Sequence, residues 1–264
     1  MTTPTLSLAG RTALVCGASD GIGRAVALAF AERGAGVAVL ARRREKLEAL
    51  CAELDTGGAA WSRPVVADLD DRPKLTREID ALLGHVGVVH VLVNNAGGPK
   101  GGPLLAAAPE EFLTAIGRHV LAPHVLVQRL LPGMTEAGYG RIINVVSTSV
   151  REPIPNLGVS NTTRGAVASW AKSLSRELPP GVTINNVLPG FTDTARLTSL
   201  KEARATREGT TSDAVHAAWL AQVPERRLAR PEETAAAVAF LASPAAAYIR
   251  GVSLPVDGGR LRSI

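Results

Sequence analysis

Gly17-Ala18-Ser19-Asp20-Gly21-Ile22-Gly23 decides the fold. The stretch follows an apolar run over residues 12–16 and leads into a helical pattern over 21–33, which Gly34 and Gly36 stop. A strand, a glycine-rich turn and a helix in that order make the first half of a βαβ unit. Glycines in such a turn let the backbone bend tightly and approach a pyrophosphate. The helix N-terminus behind it offers amide N–H groups and a favourable dipole. The spacing is G-x-x-x-G-x-G, which departs from the G-x-G-x-x-G form. Alone it is a weak signal, because many turns carry glycine for backbone reasons only.

The same alternation continues along the chain. Strands are expected over 37–41, ending near Val65-Val66, over 88–93, 141–146, 182–188 and 252–256. Helical patterns fall over 43–54, 72–83, 109–131, 160–178 and 232–242. The near-continuous apolar run over 88–93 is what a strand covered on both faces requires. Val167, Trp170, Ala171, Leu174 and Leu178 have helical spacing. Residues 191–228 form a variable segment, of which residues 195–220 should cover a substrate pocket. With no internal repeat, low-complexity tract or linker, the sequence reads as one α/β domain over 1–264 with a parallel sheet.

The 264 residues are 46% hydrophobic and 20% charged, an ordinary globular balance. No apolar run approaches the roughly 18 residues of a membrane span, so no membrane partner is expected. Residues 1–10 lack a basic region followed by an apolar segment, which argues against a secretory signal. Two cysteines, Cys16 and Cys51, are too few for a disulfide framework and read as reduced thiols of a cytoplasmic protein. The net charge of +5 comes from scattered basic residues, and aromatics are only 3%, so a nucleic-acid partner is not expected. His85, His90, His119, His124 and His216 have no ligand-like grouping, and no metal is expected.

Three further motifs accompany the glycine turn. Asn94-Asn95-Ala96-Gly97 follows the fourth strand. Pro189-Gly190, with Thr192 and Thr194 behind, follows the sixth. Asp257-Gly258-Gly259 follows the last. On these motifs, in this order, the chain resembles the short-chain dehydrogenase/reductase family from end to end. The resemblance implies a Rossmann-type, doubly wound, seven-stranded parallel sheet in three α/β/α layers. It also implies a dinucleotide cofactor, a small-molecule substrate and a homo-oligomer, either tetramer or dimer. It assigns cofactor contacts to Gly17, Ser19, Asp20, Gly21, Ile22 and Gly23, to Asn95, Ala96 and Gly97, and to Pro189, Gly190, Thr192 and Thr194. Asp68 and Leu69 fit the family's adenine contacts. Cys16 departs from the family's usual threonine.

An acid at the end of the second strand would accept hydrogen bonds from the adenosine ribose and favour NAD. Ala41 stands there instead, and Arg42 comes next, where a guanidinium can pair with a 2′-phosphate. NADP(H) is therefore expected in preference to NAD(H). Asp20 pulls the other way, since NADP-specific relatives often have a basic residue there. The bland alternative makes Arg42 to Arg44 a solvated first turn of helix.

The reaction centre departs further. In typical members a serine orients the substrate, a tyrosine thirteen residues later transfers the proton, and a lysine four residues beyond holds the nicotinamide ribose. An asparagine in the preceding helix holds a relay water. The corresponding residues here are Ser147, Ser160, Arg164 and His119. A serine hydroxyl is a far weaker and shorter acid than a phenol. Arg164 keeps its proton but can hold ribose hydroxyls. Tyr139 and Tyr248 precede strands, so both should lie at the wrong end of the sheet, Tyr139 roughly 20 Å from Ser147. His119 is the candidate acid or relay, with Pro123 expected to free its carbonyl. It reads equally as a satisfied histidine in a kinked helix. Glu152 reads as a loop charge or second acid, and Asn161 as a helix cap or a residue pointing at the substrate.

Two readings of function follow, and a third stays open. The first is an NADP(H)-dependent oxidoreductase acting on a carbonyl or alcohol, of 3-oxoacyl type by analogy, with unusual proton transfer. The second is a non-redox enzyme, a dehydratase, cyclase or lyase. The third is a catalytically silent nucleotide-binding protein.

Overall fold

β1 (Thr12–Cys16) is buried along its whole length. The chain runs on through α1 (Gly21–Ala31), β2 (Gly36–Ala41), α2 (Arg44–Thr56), β3 (Trp61–Val66), α3 (Arg72–Val86) and β4 (Val91–Asn94). The second half holds α4 (Pro109–Ile116), α5 (Ala122–Glu136), β5 (Gly140–Val145), α6 (Gly158–Glu177) and β6 (Val182–Pro189). It ends with α7 (Ala195–Glu208), α8 (Ser212–Leu220), α9 (Pro231–Ala242) and β7 (Ser253–Val256). This computed structural model describes residues 5–263. The opening of the 1–10 stretch, expected to carry no secretory signal, lies outside the described residues.

The strands form one parallel sheet in the order β3-β2-β1-β4-β5-β6-β7. Two apolar layers cover it. Phe30, Val26, Leu47, Leu54 and Val238 of α1, α2 and α9 pack on one face. Leu75, Ile79, Leu126, Leu130 and Met134 of α3 and α5, with Ala171 of α6, pack on the other. Each large side chain buried in these layers stabilises the fold by about 1.5–3 kcal/mol. This is the doubly wound architecture expected. No helix among the described residues is long and apolar enough to cross a membrane.

The differences from expectation have local causes. β3 is six residues long and includes Ser62, Arg63 and Pro64, which hide it from a hydrophobic reading. It is the edge strand, where a proline with no N–H to give is tolerated. The expected helix over 109–131 is two helices joined by a π turn, Gly117–Leu121, in which the Ala122 N–H reaches back to the Gly117 carbonyl. Pro123 sits in the first turn of α5, where its missing N–H does least harm.

A polar row crosses the sheet beneath its carboxyl edge. Asn94, Asn144, Asn186 and Ser253 are in register on β4, β5, β6 and β7. Asn94 Nδ2 donates to Asn144 Oδ1 at 2.8 Å, Asn144 Nδ2 to Asn186 Oδ1 at 2.9 Å, and Asn186 Nδ2 to Ser253 Oγ at 3.1 Å. Buried amides are tolerated because each is paired with the next. The connections reverse direction between β1 and β4, and a crevice outside the carboxyl ends of such strands is where ligands bind.

Candidate active site

A cleft of about 600 Å³ follows the carboxyl ends of the strands from the glycine turn to α7 and α8. Ser19, Asp20, Arg42, Asp68, Leu69, Ala96, Thr192 and Thr194 line it, as do Ser147, Ser160 and Arg164. Of the residues expected to touch a cofactor, only Gly23 does not line it. A Cβ on Gly23 would meet the Gly17 carbonyl oxygen at 2.2 Å, so this glycine lets α1 pack against the turn. Gly17 has φ +60°, and a Cβ there would lie 2.5 Å from the Asn95 carbonyl oxygen. Asn95 Nδ2 donates to the carbonyls of Cys16 and Gly17 at 3.3 and 3.2 Å, which ties the end of β4 to the turn.

Asp20 caps α1, its carboxylate accepting from the Gly21 N–H at 2.8 Å. An acid here therefore has a structural reason independent of cofactor choice. Arg42 and Arg43 precede α2 rather than forming its first turn. Arg42 lies 3.7 Å from an Asp68 carboxylate oxygen. Arg43, not singled out from sequence, reaches the turn itself, donating to Ser19 Oγ at 3.3 Å.

At the other end of the cleft Ser147 Oγ accepts from the Ser149 N–H at 3.1 Å, which fixes its hydroxyl at the end of β5. Arg164 donates to the Val145 carbonyl at 3.2 Å and the Ala96 carbonyl at 3.3 Å, bridging the ends of β5 and β4. Burial, and then the charge of Arg196, push its guanidinium down to about 10, which leaves it charged at neutral pH. Ser160 lies one helical turn before it on the same face of α6.

His119 is brought near this centre but does not line the cleft. The π turn directs its ring into a cavity of about 20 Å³ behind Ala96 and Arg164. Its Nε2 and the Asn94 Oδ1 are both buried there without a protein partner. Burial, followed by the charges of Arg164 and Arg118, pushes the imidazole down to about 2. Burial and the two guanidiniums thus favour the neutral ring, which accords with the reading of a histidine held in the helix rather than one exchanging protons near neutrality.

The remaining candidates have other duties. Tyr139 lies between the guanidiniums of Arg11 and Arg141, 4.2 and 4.1 Å from its ring centre, and its hydroxyl donates to the Ala242 carbonyl at 2.6 Å. Tyr248 is fully exposed. Neither lines the cleft. Asn161 does not cap α6, which starts at Gly158; it brackets Ile154, accepting from its N–H at 3.3 Å and donating to its carbonyl at 2.9 Å. Glu152 accepts from the N–H groups of Arg262 and Ser263 at 2.8 and 2.9 Å, so it anchors the C-terminal segment. Asp257 performs the matching task behind Gly190, accepting from the Gly259 and Leu261 N–H groups at 3.1 and 2.8 Å.

The profile of the enoyl-(acyl carrier protein) reductase family matches residues 17–260. The chain belongs to the short-chain dehydrogenase/reductase family. It is 37% identical over 257 residues to the 3-oxoacyl-(acyl-carrier-protein) reductase FabG of Vibrio cholerae, covering 96% of this chain and 98% of that protein. Among solved structures it is similar to L-sorbose reductase from Gluconobacter frateurii in complex with NADPH and L-sorbose. That match has a TM-score of 0.92 and 28% identity, and covers 98% of this chain and 99% of the other. It is also similar to the 3-ketoacyl-(acyl-carrier-protein) reductase of Brucella melitensis in complex with NADH, with a TM-score of 0.84, 33% identity, and coverage of 96% and 99%. This short-chain dehydrogenase/reductase is thus placed among NAD(P)-dependent oxidoreductases.

Sequence reasoning expected residues 191–228 to cover the substrate pocket but did not name the side chains that form this wall. Phe191 and Trp219 stack with ring centres 5.1 Å apart, and Leu197 and Leu200 of α7 extend that wall. Arg196 projects from the first turn of α7 and donates to the Pro99 carbonyl. Its position two residues after Thr194, at a helix start beside the Pro189-Gly190 motif, was the available signal.

Proposed function

We propose that this protein is an NADP(H)-dependent oxidoreductase acting on a carbonyl or alcohol, with proton delivery that uses no phenol. Relatives named 3-oxoacyl-(acyl-carrier-protein) reductases suggest the 3-oxoacyl class. The observation that carries the reading is a single cleft joining the glycine turn and Arg42 to Ser147 and Arg164. The donor set fits a dinucleotide phosphate. Backbone amides open α1, two arginines stand past the end of β2, and Ala41 withholds the acid that would favour NAD. When bound, the dinucleotide supplies the hydride that, with one proton, turns a carbonyl into an alcohol.

The chain's own residues have four tasks. Gly17 and Gly21 admit the phosphates, and Arg42 and Arg43 receive the 2′-phosphate. Ser147, its hydroxyl fixed by Ser149, donates its own proton in a hydrogen bond to the reacting oxygen. Arg164 supplies fixed positive charge where negative charge develops on that oxygen. Ser160 passes a proton between cleft water and the alkoxide, a slower route than a phenol. His119 stays neutral in its cavity and supports Arg164 without itself being the acid.

A homo-oligomer, dimer or tetramer, is part of the proposal. Exposed Leu105, Leu113 and Leu121 offer apolar surface for it, and light scattering tests it. A cytoplasmic site accords with the buried free thiols Cys16 and Cys51.

The test is loss of reduced-cofactor absorbance across a panel of carbonyl compounds, with NADPH and NADH compared. One observation favours the second reading, a non-redox enzyme: no tyrosine lines the cleft. Substrate consumption with unchanged cofactor absorbance would establish it.

A further inference from the structure

The two ends of the cleft differ in charge balance. Its acidic lining residues, Asp20 and Asp68, both lie at the nucleotide end, where one caps α1 and the other pairs with Arg42. At the substrate end no carboxylate among the described residues lines the wall, and Arg164 and Arg196 converge on one space. A Cβ built on Gly98 would lie 3.7 Å from Arg164 Nη2, 3.8 Å from Arg196 Nη2 and 3.8 Å from Ser160 Oγ. Three donors from two helices therefore surround one point, and the absence of a side chain at Gly98 leaves that point accessible.

These two arginines differ from the other cations nearby. Arg118 pairs with Asp70, Arg204 and Arg207 with Glu208, and Arg42 with Asp68. Arg164 and Arg196 form no ion pair among the described residues. Their protein partners are backbone carbonyls, which satisfy N–H groups but cancel no charge. Arg164 is only 8% exposed. Two uncompensated guanidiniums, one buried and one at its side, are unfavourable until an anion completes them. A carboxylate suits the forked donors, and a hydroxyl such as Ser160 can add a third bond.

We propose that Arg164, Arg196 and Ser160 form a carboxylate site beside the reaction centre, so that the substrate is an oxo acid, or the matching hydroxy acid, with a free carboxylate a few bonds from the reacting carbon. This rests on the oxidoreductase reading of the cleft and narrows its substrate class to free acids rather than thioesters. The stacked Phe191 and Trp219 with Leu197 and Leu200 give the carbon chain an apolar wall.

The experiment is calorimetric and needs no turnover. Pyruvate, acetoacetate and levulinate, and their methyl esters, are titrated into the full chain with and without saturating NADP⁺. At least one acid binds at least ten times more tightly than its ester. Arg196→Gln removes that preference and leaves NADP⁺ affinity unchanged. Gly98→Ala, which keeps both charges but places a methyl at the meeting point, weakens the acid and spares NADP⁺. The proposal is overturned if no acid outbinds its ester, or if acid binding survives Arg196→Gln. It is equally overturned if that variant weakens NADP⁺ instead, because Arg196 then serves the cofactor's phosphates. Failure of NADP⁺ to bind at all counts against the oxidoreductase reading, while the cofactor-free titration still decides the carboxylate site.

Discussion

Lowering the pH should destabilise this protein through His119, by an amount the structure sets. The imidazole is 5% exposed, and burial with the charges of Arg164 and Arg118 holds it at about 2 instead of 6.5. A folded-state value below the unfolded one means that the unfolded chain takes up the proton first. The stability tied to the neutral ring is fully present above pH 6.5 and is lost progressively as the pH falls towards 2. Each pH unit in that window removes about 1.4 kcal/mol. Between about pH 7.5 and about pH 5 the loss is therefore about 2 kcal/mol. Urea unfolding at one protein concentration, at both pH values, measures it in the wild type and in His119→Gln. The variant removes the titration while keeping a polar side chain in the cavity. Its stability should fall less than that of the wild type over the interval, by about 2 kcal/mol. His90, also held below its ordinary value by burial and Arg11, contributes equally to both proteins and cancels. Equal losses within about 0.5 kcal/mol would refute the reasoning, because they would mean that the folded protein accommodates an imidazolium beside two guanidiniums.

Other outcomes follow from the same geometry. Arg42→Ala should weaken NADPH about tenfold and NADH much less, as read by calorimetry. Gly23→Ala should cost about 1–3 kcal/mol and lower the melting midpoint by several degrees, because its Cβ would lie 2.2 Å from the Gly17 carbonyl oxygen. The pair Ser160→Tyr with Arg164→Lys should raise the reduction of ketones that carry no carboxylate about 100-fold by supplying a phenol beside an ammonium; an unchanged rate on them would show that proton delivery is not limiting. Cys16, pushed up to about 12 by burial, should resist thiol alkylation at neutral pH until the protein unfolds, as followed by mass spectrometry.

The parts of the site legible in the sequence are those whose residues act through local backbone geometry. Gly17, Gly21 and Gly23 announce a turn before a helix, Pro189-Gly190 the end of a strand, and both lie where that reading puts them. The distance of Tyr139 from the chemistry was legible too, because strand length fixes it. What stayed hidden depends on partners far apart in the chain. Nothing near Arg196 shows that it will meet Arg164 and Ser160 above Gly98, and nothing near Asn161 points to Ile154. The π turn was obscured because Gly117 to Leu121 has the composition of ordinary helix, and its effect on His119 appears only when the ring is packed against β4. Asn94, Asn144 and Asn186 each interrupt or end an otherwise apolar strand, a pattern present in the sequence but without meaning until the register aligns them.

The amide row also limits how the sequence can change over time. Each asparagine donates towards β7, and Asn144 and Asn186 each accept from the strand before, so the sense set by one member binds the others. Aspartate at Asn144 would lose the donor that Asn186 needs, and leucine would strand the groups on both sides. Such exchanges are tolerated only in company. The three positions should drift through descendants of this chain as one inherited unit, and a lineage that altered one would carry the mark of its compensation in the neighbouring strand.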